Sequence, residues 1–231
     1  GSEGTLGIIT EVQLRLYGVP EAISAAVCSF NTLVGAVNTT ISTIQMGIPV
    51  ARIELLDEVQ VDAINRFAGF DYDLKPTLFF EFHGTESWVQ EQAEMVKEIS
   101  SEEGGSDFHW SNREQERQKL WEARHNALYA ALALRPGSKG WPTDVCVPIS
   151  RLADCILETR SDIEESGMIV PLVGHVGDGN FHLLFLIDPD NEEEELQRYQ
   201  PLNDRLVERA LRMGGTCTGE HGIGSGKIKY M

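Results

Sequence analysis

The chain has 231 residues, 42% hydrophobic and 24% charged, the proportions of a globular protein with ample apolar material for a core. Its 36 acidic and 19 basic residues give a net charge of −17, a field that repels phosphate backbones and anionic lipid and so argues against nucleic-acid or polybasic membrane binding. No apolar run approaches the roughly 20 residues a spanning helix needs, and the scattered Cys28, Cys146, Cys155 and Cys217 form no C-x-x-C pair, which reads as reduced thiols rather than a disulfide frame.

Residues 1–7, GSEGTLG, form a glycine-rich turn, and IITEVQLRL (8–16) alternates as a strand does. AISAAVCSF (22–30) is a second strand; Asn31 is placed to cap the helix that follows and ends before Gly47. VARIELLD (50–57) reads as a strand, 58–69 as a helix, and TLFFEFHG (77–84) as a buried aromatic strand. Thr85 caps a helix running to Gly104-Gly105, and DFHW (107–110) is a short strand. Ser111 with Glu114 three residues on forms a capping box for one helix reaching about Leu134, with Arg135-Pro136-Gly137 as its stop. TDVCVPI (143–149) is a strand, 151–167 a helix, and IVPLVGH (169–175) and NFHLLFLID (180–188) are strands joined by a tight turn. The last helix starts in the acidic run Glu192–Glu195, is kinked by Pro201 and stops at Gly214-Gly215. The late hairpin excludes a fully parallel sheet. The pattern predicts an α+β fold: a mainly antiparallel sheet of about seven strands with helices on one face.

Chemistry concentrates in two segments. In GHVGDGNFH (174–182), Asp178-Gly179 is a two-residue hairpin signal. That register sets His182 directly opposite His175, with Cβ atoms about 4.5–5.5 Å apart, and two imidazoles so placed can share a divalent metal. In GTCTGEHGIG (215–224), Glu220 and His221 sit between glycines that let the backbone approach a ligand closely. Glu220 can complete a His-His-carboxylate set, while His221, pointing away from its neighbour in an extended chain, is free to act as a base. Arg124 has the geometry to hold a carboxylate bidentately, or else simply pairs on a surface helix with Glu122.

Together these segments resemble the FAD-linked oxidase family, vanillyl-alcohol-oxidase-like flavoproteins whose members oxidise 2-hydroxy acids. GHVGDGNFH and GTCTGEHGIG are similar to its two signature blocks, GSEGTLGIIT to the end of its flavin-binding domain, and WEARHNA and TDVCVPISRL to its mitochondrial D-lactate dehydrogenase branch. The resemblance spans essentially the whole chain. It implies that residues 1–18 end an FAD-binding domain and that 19–231 are a ferredoxin-like substrate cap domain carrying a metal site, in a chain that lacks the family's upstream glycine loop and its C-terminal end.

By that resemblance His175, His182 and Glu220 hold a divalent metal, zinc or manganese. His221 takes the substrate's hydroxyl proton as hydride leaves for the flavin, and Arg124 binds its carboxylate. Ser2, Glu3, Gly4, Thr5, Gly7 and Ile8 line the FAD. The implied partners are a small 2-hydroxy acid and an electron acceptor, cytochrome c or a quinone. The implied compartment is the mitochondrion, with the cytoplasm as the alternative. The isolated fragment is expected to be inactive. The family's 2-hydroxyglutarate-oxidising members carry Lys and Asn where this chain has Pro142 and Leu184, which points to a small monoacid such as D-lactate rather than a diacid. Glycolate, D-2-hydroxyglutarate, or a non-catalytic metal-binding module are the alternatives.

Overall fold

Apolar side chains on both faces of the central strands set the architecture. The computed structural model describes residues 1–231. In chain order the strands are β1 (Ala22–Phe30), β2 (Val50–Leu56), β3 (Thr77–Gly84), β4 (Gly105–Ser111), β5 (Lys139–Pro142), β6 (Val145–Cys146), β7 (Leu172–Gly174) and β8 (Asn180–Ile187). The helices are α1 (Leu33–Gln45), α2 (Glu58–Ala68), α3 (Glu86–Glu102), α4 (Glu114–His125), α5 (Ala127–Leu134), α6 (Leu152–Ser166) and α7 (Glu192–Arg212). The eight strands form an antiparallel sheet in the order β4-β1-β3-β2-β7-β8-β5, with β6 also pairing β8. The α+β class holds. The eighth strand is β5, which completes the edge beside β8.

The sheet is buried on both faces rather than one. On one side Phe80 and Phe82 of β3, Ile53 and Leu55 of β2, and Phe181, Leu183 and Phe185 of β8 pack against α1, α3, α6 and α7. On the other, Phe79, Leu56, Val173, Leu184 and Leu186 meet a smaller layer from α2, α4 and α5. Period-2 alternation forces this division, since successive side chains leave a strand on opposite sides. The candidate site lies on the side of this smaller layer, where Arg124 of α4 reaches Glu54 of β2.

Local chemistry accounts for the differences from the sequence-based expectation. Residues 8–16 form no strand; Glu3 to Val19 are all exposed, because the alternating segment finds no sheet edge to join. Thr32, not Asn31, caps α1 by accepting from the Gly35 amide. Ser111 ends β4 and its hydroxyl accepts from the Arg113 amide, so α4 begins without a capping box. The long helix expected to reach Leu134 divides at Asn126, turning the alanine face of α5 (Ala127, Ala130, Ala131) onto the small core. The strand expected over 143–149 is ladder only at Val145–Cys146, since Pro148 has no N–H to donate. Pro201 lies inside α7, whose helical run is unbroken; the ring opposes the carbonyl of Gln197 on the exposed side.

Candidate active site

The hairpin that carries the two histidines is wider than two residues. Val176–Asp178 form a 3-10 turn, the Asn180 amide donates to the His175 carbonyl, and Val173 is the residue opposite His182. The register therefore differs by two residues from the expected one. A shift of two preserves the face, so the imidazoles still meet, diagonally, with ring centroids 5.9 Å apart and planes nearly perpendicular. On β8, His182 precedes Leu184 and Leu186 along the face of the smaller core, and His175 follows Val173 by two residues on the same side.

Glu220 arrives from the segment after α7. His175, His182 and Glu220 each present a ligand atom within 4.8 Å of the other two. Glu220 Oε1 stands 3.2 Å from His182 Nε2 and 3.8 Å from His175 Nε2. His221 does not point away: its Nε2 is 3.3 Å from the same Glu220 oxygen and its ring centroid 5.4 Å from that of His182. The backbone is folded, not extended, with the Gly222 amide on the Thr218 hydroxyl, so neighbouring side chains converge.

Two carboxylates that sequence reasoning passed over build this geometry. Asp144, just before β6, accepts from the amides of Glu220 and His221 and the hydroxyl of Thr218 on one oxygen, and from Asn180 on the other. Burial pushes its pKa upward, but the donors, Thr218 foremost, hold the carboxyl well below the usual range. Gly219 makes the approach possible: a Cβ there would stand 2.1 Å from Asn180 Nδ2. Glu54, on β2, takes His175 Nδ1 at 2.8 Å and Arg124 Nε at 2.9 Å. The available signal was an acid at 54 and an acid at 144 inside apolar strand segments.

Hydrogen-bond partners fix the imidazole tautomers. His182 Nδ1 lies 2.7 Å from the Thr143 carbonyl, which only accepts, so Nδ1 carries the proton and Nε2 the lone pair. Burial lowers the pKa of this ring, favouring its neutral form. His175 Nδ1 likewise faces the Glu54 carboxylate, leaving Nε2 turned toward Glu220; the hydrogen bond to Glu54 raises the pKa of His175. Two imidazole Nε2 atoms and a carboxylate oxygen thus converge, with one Arg124 guanidinium nitrogen 3.4 Å from His175 Nε2. The residues fit a divalent metal.

Arg124, near the C-terminus of α4, is not a surface residue paired with Glu122. Its side chain is 16% exposed and reaches Glu54 and, at 3.4 Å, His175 Nε2. Of the residues expected at the flavin, Ser2 and Glu3 meet the 222–224 turn: the Gly224 amide donates to Ser2 Oγ, and Glu3 packs against Gly224. Gly4, Thr5, Gly7 and Ile8 are exposed. Pro142 and Leu184 face each other across β5 and β8.

The sheet with its two helical layers belongs to a known class. Residues 19–231 match the model of the family FAD linked oxidases, C-terminal domain, and the chain is a member of that family. Among its relatives, the probable mitochondrial D-lactate dehydrogenase of Danio rerio is 55% identical over 227 residues, 98% of this chain and 46% of that protein. The mitochondrial D-lactate dehydrogenase [cytochrome] of Arabidopsis thaliana is 46% identical over all of this chain and 41% of its own length. The glycolate oxidase subunit GlcD of Escherichia coli K12 is 33% identical, again over all of this chain and 46% of that protein. The chain spans less than half the length of these relatives. Alkyldihydroxyacetonephosphate synthase shares the fold at a TM-score of 0.61 and 18% identity, covering 94% of this chain and 44% of that one. The 4-ethylphenol oxidase of Gulosibacter chungangensis does so at 0.62 and 14%, covering 87% and 46%. No helix is long and apolar enough to cross a membrane.

Proposed function

We propose that this chain is the substrate- and metal-binding part of a mitochondrial FAD-dependent dehydrogenase that oxidises D-lactate to pyruvate, with electrons passing to cytochrome c or a quinone. The observation that carries the reading is the convergence of His175 Nε2, His182 Nε2 and Glu220 Oε1 beside Arg124. A divalent ion, zinc or manganese, held by those three would supply Lewis acidity toward an α-hydroxyl, and FAD would supply the two-electron sink that side chains lack. Arg124 binds the substrate carboxylate through the guanidinium nitrogens that Glu54 leaves free. His221 accepts the hydroxyl proton at its imidazole. Residues 1–18 belong to the end of the flavin domain; the match of the family model from residue 19 supports this.

The apolar Pro142–Leu184 pair offers nothing to a second carboxylate, which favours a monoacid over D-2-hydroxyglutarate. The full-length protein tests the reading through dye reduction with D-lactate, glycolate and D-2-hydroxyglutarate. D-lactate is expected to give the highest kcat/KM, and His221→Ala to lower kcat with D-lactate by about 10²–10⁴-fold while the flavin stays bound. Unchanged turnover in that variant removes His221 from the role; a preference for glycolate moves the substrate to the GlcD type.

A further inference from the structure

Strand β2 places one carboxylate under two functional side chains that come from distant parts of the sequence. Glu54 lies in Ile53-Glu54-Leu55-Leu56, where its neighbours enter the core, and its own side chain is 6% exposed. A buried carboxylate is costly unless its oxygens are satisfied. Here each oxygen has one partner: Oε1 faces His175 Nδ1 at 2.8 Å and Oε2 faces Arg124 Nε at 2.9 Å. The next acid on the same face of the sheet, Glu81 on β3, is committed elsewhere, to Arg52 and His83.

We infer that Glu54 is a positioning residue which sets, through a single carboxylate, both the orientation of a metal-ligating imidazole and that of the substrate-binding guanidinium. The inference rests on the reading of His175 and Arg124 given above. A carboxylate on Nδ1 fixes the ring so that Nε2 faces the metal, and such supports are worth about 10–100-fold in metal affinity. The same carboxylate takes the Nε side of Arg124, leaving the terminal guanidinium nitrogens, one of them 3.4 Å from His175 Nε2, to face the site. The distance between the α-hydroxyl subsite and the carboxylate subsite is thereby fixed by one rigid strand residue, not by two flexible side chains held separately. A 2-hydroxy acid carries those two groups on adjacent carbons, so its site needs that spacing held tightly.

The experiment uses the full-length flavoprotein, with Mn²⁺ affinity followed by electron paramagnetic resonance of the free ion and D-lactate KM by dye reduction. In Glu54→Gln the amide oxygen can accept from one partner, but the NH₂ group confronts the other. The expected result is a 10–100-fold loss of Mn²⁺ affinity together with a rise in KM of about tenfold or more. Glu81→Gln, the control for losing a buried carboxylate from the same face, should leave both within twofold. Wild-type values for Glu54→Gln overturn the inference, and loss at only one of the two subsites overturns the shared support. A wild-type protein that binds no stoichiometric Mn²⁺ instead defeats the metal reading itself. Should Glu54→Gln fail to fold, Glu54→Asp, which keeps the charge but shortens the reach, carries the same test against the same criteria.

Discussion

Asp57 shows how much one buried carboxylate can couple to solution conditions. It caps α2 through the Gln60 amide and meets Arg160 at 3.1 Å, wholly buried. Burial pushes its pKa up to about 6, against the pull of the Gln60 amide and the Arg160 guanidinium. The folded state therefore holds the Asp57 proton more tightly than the unfolded chain does. Its stabilising contribution is complete below the ordinary value of 3.8 and is lost as pH rises through about 6. Asp57→Asn keeps an acceptor at the cap and cannot ionise. The difference in Tm, variant minus wild type, should become more positive between pH 4 and pH 7.5 in thermal unfolding, and a pH-independent difference would contradict the assignment. The two histidines and Glu220 were legible in the sequence because each lies beside glycines or a turn. Glu54 and Asp144 were not: each is a lone acid in an apolar stretch, and its partners lie 70 to 121 residues away for Glu54 and 36 to 77 for Asp144.

The elements that bear the site are a hairpin and a glycine-bounded turn, and both were read with partial success. Asp178-Gly179 announced the reversal, but periodicity cannot distinguish a two-residue turn from the 3-10 turn that forms; the face survived because the register error was even. The turn after α7 is fastened by Asp144, which accepts from three donors in it. Gly219 is the point where that fastening needs the absence of a side chain. Gly219→Ala puts a methyl 2.1 Å from Asn180 Nδ2 and 3.0 Å from Asp144 Oδ1, displacing Glu220 and His221 together. A shift of about 1 Å at reacting groups can cost 10²-fold. The expectation is a fall in kcat/KM of about that size with the global fold retained by circular dichroism. Activity near wild type would show that the turn yields without consequence.

At the scale of the molecule, the late hairpin made a mainly antiparallel sheet predictable, while the second helical layer was not. A helix of weak amphipathicity such as the alanine-rich α5 does not announce which side of a sheet it covers; only tertiary packing decides. That smaller layer matters because Glu54, His175 and His182 lie on the sheet face it covers, with Glu220 completing the cluster and Arg124 of α4 reaching it. The central claim is that a divalent ion occupies that cluster. Anomalous diffraction at the manganese edge from Mn²⁺-soaked crystals of the full-length protein tests it directly. The account predicts one peak at about 2.0–2.2 Å from His175 Nε2, His182 Nε2 and a Glu220 oxygen, absent from crystals of His182→Ala; a well-ordered site without a peak, or a peak that survives in the variant, would contradict it.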